Sequence, residues 1–218
     1  MLFRSPRSIA KDQETAQNAG ADVIFYPEAS EIVDEDMLAF VDIHKMQNNL
    51  CGRRRPGHFR GVCTIVAKLF NIIQPNRAYF GQKDIQQFYI LKKMVRDLNY
   101  DIDIIRCPIV REPDGLAMSS RNVYLSPAER REATILSRAI KEAMRLFENG
   151  VTSGSNVVSM ISTYITDHSS ARIDYVNIVD ETMRDVPEIK PGHILALAAF
   201  LGSTRLIDNY IFGDPISF

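Results

Sequence analysis

The amino-acid sequence predicts an α/β protein whose second half is a smaller α+β arrangement. Between residues 62 and 110, helix, strand, helix and strand patterns follow one another with short links, the rhythm of a parallel sheet. After Pro113-Asp114-Gly115, a strong turn signal, the order changes to helices followed by three strand-like runs, which puts a domain boundary near Val110. The 218 residues, 45% of them hydrophobic and 24% charged, are enough to bury the core of one large domain or two small ones.

The elements follow in order. Residues 9–19 are mostly polar and precede Gly20, which stands where a helix would end on a left-handed glycine. Val23-Ile24-Phe25-Tyr26 predicts a short buried strand over residues 21–27, ending at proline, and residues 37–43 predict another. Val62, Ile65, Val66, Leu69, Phe70 and Ile73 fall on one face of a helix stopped by Pro75. A brief strand at residues 77–81 leads directly to a second amphipathic helix, striped by Ile85, Phe88, Leu91, Met94, Val95 and Leu98. Residues 102–110 read as a strand, with Pro108 near its end or on a sheet edge. Ser126 and Glu129 have capping-box spacing with Pro127 at the first helical position, predicting one helix to about residue 148. A further helix follows residues 152–156, and strands are expected over 172–179, 193–200 and 205–212.

Composition narrows the function classes. With 26 basic and 27 acidic side chains, no global field would hold nucleic acid or an anionic membrane. No apolar run reaches the roughly 18 residues needed to span a bilayer, and residues 1–7 lack the apolar core of a secretory signal. The three cysteines, Cys51, Cys63 and Cys107, are widely spaced with no C-x-x-C pair. They favour a reducing compartment over a zinc site or disulfide framework, so a cytoplasmic enzyme without a protein-held metal is expected.

Three segments carry candidate chemistry. Gly81-Gln82-Lys83-Asp84 lies where a strand hands over to a helix, the place where anions gather in parallel sheets. Gly81 lets the backbone approach a ligand, Lys83 is a point charge suited to phosphate, and Asp84 could cap the helix or hold a ribose hydroxyl or hydrated metal. Ala117-Met118-Ser119-Ser120-Arg121-Asn122 offers two hydroxyls and a guanidinium in one loop, a polyphosphate binder or simply the cap of the next helix. It resembles the Lys-Met-Ser-Lys-Ser loop of adenylate-forming nucleotidyl transferases, with Ala117 in place of the leading lysine. Cys51 to Arg60 carries Arg53, Arg54, Arg55, His58 and Arg60, either a clamp for a carboxylate or phosphates or a solvated face. Its Arg55-Pro56-Gly57-His58 mimics the end of a His-x-Gly-His motif without the first histidine.

Together these segments resemble the pantothenate synthetase (pantoate–β-alanine ligase) family of the nucleotidyl-transferase superfamily. The matching stretches are Leu50-Cys51-Gly52, Arg55-Pro56-Gly57-His58-Phe59-Arg60-Gly61-Val62, Lys68-Leu69-Phe70-Asn71-Ile72 and Tyr79-Phe80-Gly81-Gln82-Lys83-Asp84 with Gln86-Gln87. Met94-Val95-Arg96-Asp97-Leu98, Val110-Arg111-Glu112, Asp114-Gly115-Leu116-Ala117-Met118-Ser119-Ser120-Arg121-Asn122 and Thr204-Arg205-Leu206-Ile207-Asp208-Asn209 complete them in the family's order. The resemblance implies an incomplete Rossmann-like nucleotide-binding domain over residues 1–109 and a small α+β lid domain over 110–218. It implies condensation of pantoate with β-alanine, using ATP and Mg2+, through a pantoyl adenylate. Gly81, Gln82, Lys83 and Asp84 would contact ATP, with Lys83 on its phosphates, and Val110 would meet adenine through its backbone. Met118, Ser119, Ser120 and Arg121 would close over the triphosphate, Lys83, Ser119, Ser120 and Arg121 would be catalytic, and Gln87 would bind pantoate. A homodimer is implied as well.

The family opens with a strand leading to Met-Gly-Ala-Leu-His-x-Gly-His, followed by Asn-Pro-x-Gln-Phe, and neither motif occurs in these 218 residues. Ser5-Pro6-Arg7 resembles the Tyr-Pro-Arg stretch that comes after them. The expectation is a chain corresponding to the family's C-terminal three-quarters, impaired in catalysis when it stands alone. The alternatives are a non-catalytic remnant that binds nucleotide or dimerises, and a different adenylate-forming enzyme such as a cytidylyltransferase. Gln86-Gln87 and the Thr-Arg-Leu-Ile-Asp-Asn tail count against the latter. Gln82 stands where the family usually has glutamate, and Arg53 and Arg54 make their segment unusually basic.

Overall fold

The computed structural model describes residues 9–215, so the basic opening at residues 1–7, including the Ser5-Pro6-Arg7 match, lies outside the described residues. Two units divide the chain between Ala39 and Phe40. The first holds α1 (Ile9–Asn18), which buries no side chain, and the single turn α2 (Ala29–Ile32). Gly20 ends α1 as the sequence predicts: its φ is 85°, and the Ala21 N–H reaches back to the Ala16 carbonyl. Residues 21–27 overturn the strand predicted there. They form no ladder, and Val23 is 83% exposed. An apolar run fits a buried strand, but a strand exists only through a pairing partner, and no described residue pairs with this one. The strand expected at residues 37–43 is also absent. Instead of a ladder, the Val41 N–H donates to Thr64 Oγ1 at 2.9 Å.

The second unit begins with α3 (Leu50–Arg54) and α4 (His58–Ile73). Gly57, at φ 76°, caps α4 and starts it ahead of residue 62. The buried face of α4 is Phe59, Cys63, Ala67 and Phe70, rotated from the predicted stripe so that Ile65 and Ile73 lie exposed. The rotation turns Thr64 inward, where its hydroxyl donates to the Arg60 carbonyl at 2.7 Å and also accepts from Val41. β1 (Arg77–Gly81) runs through a 3-10 turn at Gln82–Asp84 into α5 (Ile85–Asp97) and on to β2 (Asp103–Cys107). β1 and β2 pair in parallel, Arg77 opposite Asp103 and Gly81 opposite Cys107. The stripe of α5 is buried as predicted from Ile85 to Val95, while Leu98, just past its end, is exposed. β2 stops short of Pro108, which has no N–H to give a ladder.

Beyond Val110, Gly115 (φ 91°) closes the predicted turn with its N–H on the Glu112 carbonyl at 2.8 Å. α6 (Pro127–Glu132) carries the predicted capping box, Ser126 N–H to Glu129 Oε2 at 2.7 Å and Glu129 N–H to Ser126 Oγ at 3.3 Å. The one helix expected to residue 148 is two, because α7 (Ile135–Glu148) starts after a break at Ala133-Thr134. There the Thr134 hydroxyl donates to the Arg131 carbonyl and Ser137 Oγ to that of Thr134, side chains competing for backbone acceptors. α8 (Gly154–His168) follows, with Ser153 as its cap.

β3 (Arg172–Val179), β4 (Ile194–Leu201) and β5 (Thr204–Ile211) then form an antiparallel sheet in the order β3-β4-β5. The sheet separates two apolar clusters. Leu195, Leu197, Leu206 and Tyr210 join α7 and α8, while Ile194, Ala196 and Ile211 join α4 and α5. Covered on both faces, β4 is buried at nearly every position. β5 pairs only with β4 among the described strands, which leaves its other edge open. The whole is a mixed α/β fold, with a parallel two-stranded sheet and a separate antiparallel three-stranded one.

Candidate functional site

The open edge of β5 borders a cleft into which two loops send charged and polar groups. Lys83 comes from the turn between β1 and α5, and Ser119, Arg121 and Asn122 come from the loop after Gly115. Arg205 of β5 adds a third cation, and Leu116, Ala117, Leu206 and Ile207 supply the apolar lining.

The first loop is held from β5. Asn209, 2% exposed, donates its side-chain amide to the carbonyls of Gln82 at 2.9 Å and Lys83 at 3.1 Å. The Gln82 side chain returns a bond to Asn209 Oδ1 at 3.3 Å and accepts one from Arg106, which also pairs with Asp214. Gln82 is therefore turned into this network. A Cβ on Gly81 would meet nothing within 4 Å, so the backbone there faces open space.

The second loop is held from the same strand. Arg111 and Asp208 form a two-bonded ion pair at 2.7 and 3.0 Å, with side chains only 6% and 2% exposed. Arg111 also donates to the Gly115 carbonyl at 3.0 Å. Burial pushes the Asp208 carboxyl up, while the hydrogen bonds and charge of Arg111 pull the other way and Lys83 adds its own pull. Further along the loop, the Met118 N–H bonds Val110 O at 2.9 Å, Ser119 Oγ accepts from the Arg121 N–H at 3.2 Å, and Asn122 donates to the Ala117 carbonyl.

Of the residues singled out in the sequence, Lys83, Ser119 and Arg121 meet in this cleft. Gly81, Asp84, Val110, Met118 and Ser120 lie outside its lining, and Gln87 is half-buried on α5. Gln86 is structural: its amide donates to the carbonyls of Met46 and Asn49, both at 2.9 Å, and its oxygen accepts from Gly52 N–H. Of the two adjacent glutamines, Gln86 is spent on the core and Gln87 keeps some exposure to solvent.

Two further groups, His58 of the arginine-rich segment and Arg205 of the cleft lining, have surroundings that the sequence alone does not show. His58 sits in an imperfect motif and lies outside the cleft lining, with the charges of Asp84 and Arg121 acting on it in opposite directions. Burial, and then the Arg55 charge, lower it to about 4. A guanidinium can only donate, so Arg55 Nη1 at 3.1 Å from His58 Nε2 fixes that nitrogen as an acceptor and the ring as neutral. Arg205 belongs to the Thr-Arg-Leu-Ile-Asp-Asn tail, where nothing local assigns it a task. It is held by Asp174 at 3.0 and 2.9 Å, and Asp174 in turn pairs with Arg54 at 3.1 Å. That ion pair gives Arg54 a role, while nothing in the structure explains Arg53. Cys63 is no nucleophile, since burial pushes its thiol up to about 12.

Comparison with known proteins identifies the relatives of this arrangement. A family model described as pantoate-beta-alanine ligase matches residues 2–211. Pantothenate synthetase of Acetivibrio thermocellus is 52% identical over 209 residues, covering 95% of this chain and 74% of the relative. That of Thermotoga petrophila is 50% identical over 211 residues, covering 96% and 75%. Among solved structures, pantothenate synthetase from Thermus thermophilus superposes with a TM-score of 0.90 at 37% identity, covering 96% of this chain and 76% of that one. The Francisella tularensis pantoate-beta-alanine ligase, solved with beta-gamma ATP and beta-alanine, matches with a TM-score of 0.73 at 28% identity, covering 95% and 71%.

Proposed function

The chain belongs to the pantoate-beta-alanine ligase family, and on that premise we propose that the cleft along β5 is where ATP activates pantoate for condensation with β-alanine. The observation that carries this reading is the meeting of Lys83 with Ser119 and Arg121, groups about 36 residues apart in sequence, on one open cleft. The triphosphate lies against these donors. A pantoate carboxylate oxygen attacks the α-phosphorus and pyrophosphate leaves. Negative charge builds on the transferring group, and Lys83, Arg121 and Arg205 stabilise it from fixed positions. The amine of β-alanine then attacks the acyl carbon, AMP leaves, and pantothenate is formed. Ser119 and Ser120 supply hydroxyl donors, and Met118 closes the loop over the nucleotide. Gly81, Gln82 and Asp84 meet ATP through the turn, Val110 meets adenine through its backbone, and Gln87 holds pantoate.

Magnesium belongs to this reading as a companion of ATP. The cleft lining contains no carboxylate, and among the described residues no cluster of three or more His, Cys, Asp or Glu side chains offers a metal site. These residues do not fit a protein-held ion, whereas Mg2+ is commonly carried on substrate phosphates. No step above depends on it.

In the same reading, residues 1–109 belong to a Rossmann-like nucleotide domain, of which β1, α5 and β2 are the parallel part, and residues 110–218 form the lid. The assembly is a homodimer, and Ile65 and Ile73 on the exposed face of α4 are the apolar surface that supports it. The free cysteines and the absence, among described residues, of any helix long and apolar enough to cross a membrane are compatible with a cytoplasmic setting.

The test is product analysis with ATP, pantoate and β-alanine. AMP and pantothenate in equal amounts, dependent on all three, support the reading, and AMP release without pantoate contradicts it.

A further inference from the structure

Two consecutive residues of β5 hold the two loops of the cleft. Neighbouring side chains on a strand leave opposite faces of a sheet, and here each finds a different loop. Asp208 lies on the face shared with Leu206 and Tyr210, where it grips Arg111 and, through it, the Gly115 carbonyl. Asn209 lies on the face shared with Ile211, where its amide takes the carbonyls of both Gln82 and Lys83. The pair is itself tied, since the Asn209 N–H donates to Asp208 Oδ1 at 2.8 Å. Both residues are buried, 3% exposed for Asp208 and 2% for Asn209, so neither is placed to touch a ligand in the cleft.

We propose that Asp208-Asn209 is a brace that sets the distance between Lys83 and Arg121, which makes Asp208 and Asn209 positioning residues for phosphate binding. The proposal rests on the reading of the cleft as the phosphate site. A one-residue slip of β5 would send each side chain to the wrong face and release both loops together. Preorganised cations act on a transition state only while their spacing is held, so the brace serves catalysis without contact.

The experiment uses the intact chain with Asn209→Ala and with Asn209→Asp, which keeps the volume but replaces the amide donor. Hydrogen–deuterium exchange and titration with ATP are measured on both. Exchange at residues 82–86 should rise several-fold while the β3–β4 ladder stays protected, which separates loss of the brace from general unfolding. ATP affinity should fall by about fivefold or more. In a Lys83→Ala background the added Asn209 substitution should cost markedly less, because Asn209 acts through the turn whose cation is Lys83. Unchanged exchange at residues 82–86, or an equal loss of affinity in both backgrounds, overturns the brace. Failure of the wild-type chain to bind ATP overturns the phosphate reading instead, and the exchange result then decides by itself whether Asn209 orders residues 82–84.

Discussion

Asp208→Ala is predicted to be severely destabilising. The carboxylate is 2% exposed as a side chain and its partner Arg111 is 6% exposed. Removing it strips two charge-assisted bonds, at 2.7 and 3.0 Å, from a buried guanidinium and takes the acceptor from the Asn209 N–H. Removing one partner of a buried ion pair costs about 3–5 kcal/mol. For a chain of this size each kcal/mol lowers the melting temperature by roughly 2–4 °C, so a fall of about 6–20 °C is expected. The assay is urea unfolding followed by far-UV circular dichroism, since the chain has no tryptophan to report. The midpoint should drop with little change in slope. The double variant Arg111→Met/Asp208→Leu should recover most of the loss, because an apolar pair of similar volume leaves no charge stranded. A single-variant cost below about 1 kcal/mol, or a double variant no better than the single, refutes the reasoning, since an exposed pair would behave that way.

Two further outcomes follow from the charges around the cleft. His58 is held at about 4 against an ordinary 6.5, so between those values the unfolded chain binds more protons than the folded one. Its contribution to stability is complete above about pH 6.5 and is lost as pH falls toward 4. His58→Gln should therefore reduce the loss of stability between neutral and acid pH, by on the order of 1 kcal/mol once its half-exposure is discounted. An identical pH profile in thermal melts would count against a neutral, half-buried ring. Asp174→Ala should cost about 1–3 kcal/mol by leaving Arg205, 16% exposed, without its carboxylate. Arg54→Ala, at a side chain 57% exposed, should stay within about 0.5 kcal/mol. Equal effects of the two in chemical denaturation would contradict that ranking.

The sequence revealed most where local chemistry decides the outcome. Ser126, Pro127 and Glu129 carried their own helix start, Gly20 and Gly115 their own backbone reversals, and the stripe from Ile85 to Val95 the buried face of α5. It misled where an element depends on a distant partner. Val23 to Tyr26 has the composition of a buried strand, but composition does not supply a neighbour to pair with. The α4 stripe was readable as periodicity while its rotation depended on Thr64 reaching Val41, a contact 23 residues away. The break at Thr134 was hidden because its cause is a pair of hydroxyl bonds inside a good helix pattern. The candidate site divides in the same way. Lys83 and Arg121 stood out as charges at a helix start and in a hydroxyl-rich loop. Arg205 did not, because what holds it at the cleft is Asp174, remote in sequence. Asp208 and Asn209 were visible as a motif, but their split allegiance to two loops is a property of the strand's two faces.

The central claim is that Lys83 and the 119–121 segment form one phosphate site. Calorimetric titration of ATP into the wild-type chain and into Lys83→Ala tests it most directly. The account predicts measurable binding by the wild type and at least a tenfold loss in the variant, the equivalent of about 1.4 kcal/mol, with melting curves otherwise alike. ATP binding of equal strength in both proteins would contradict it.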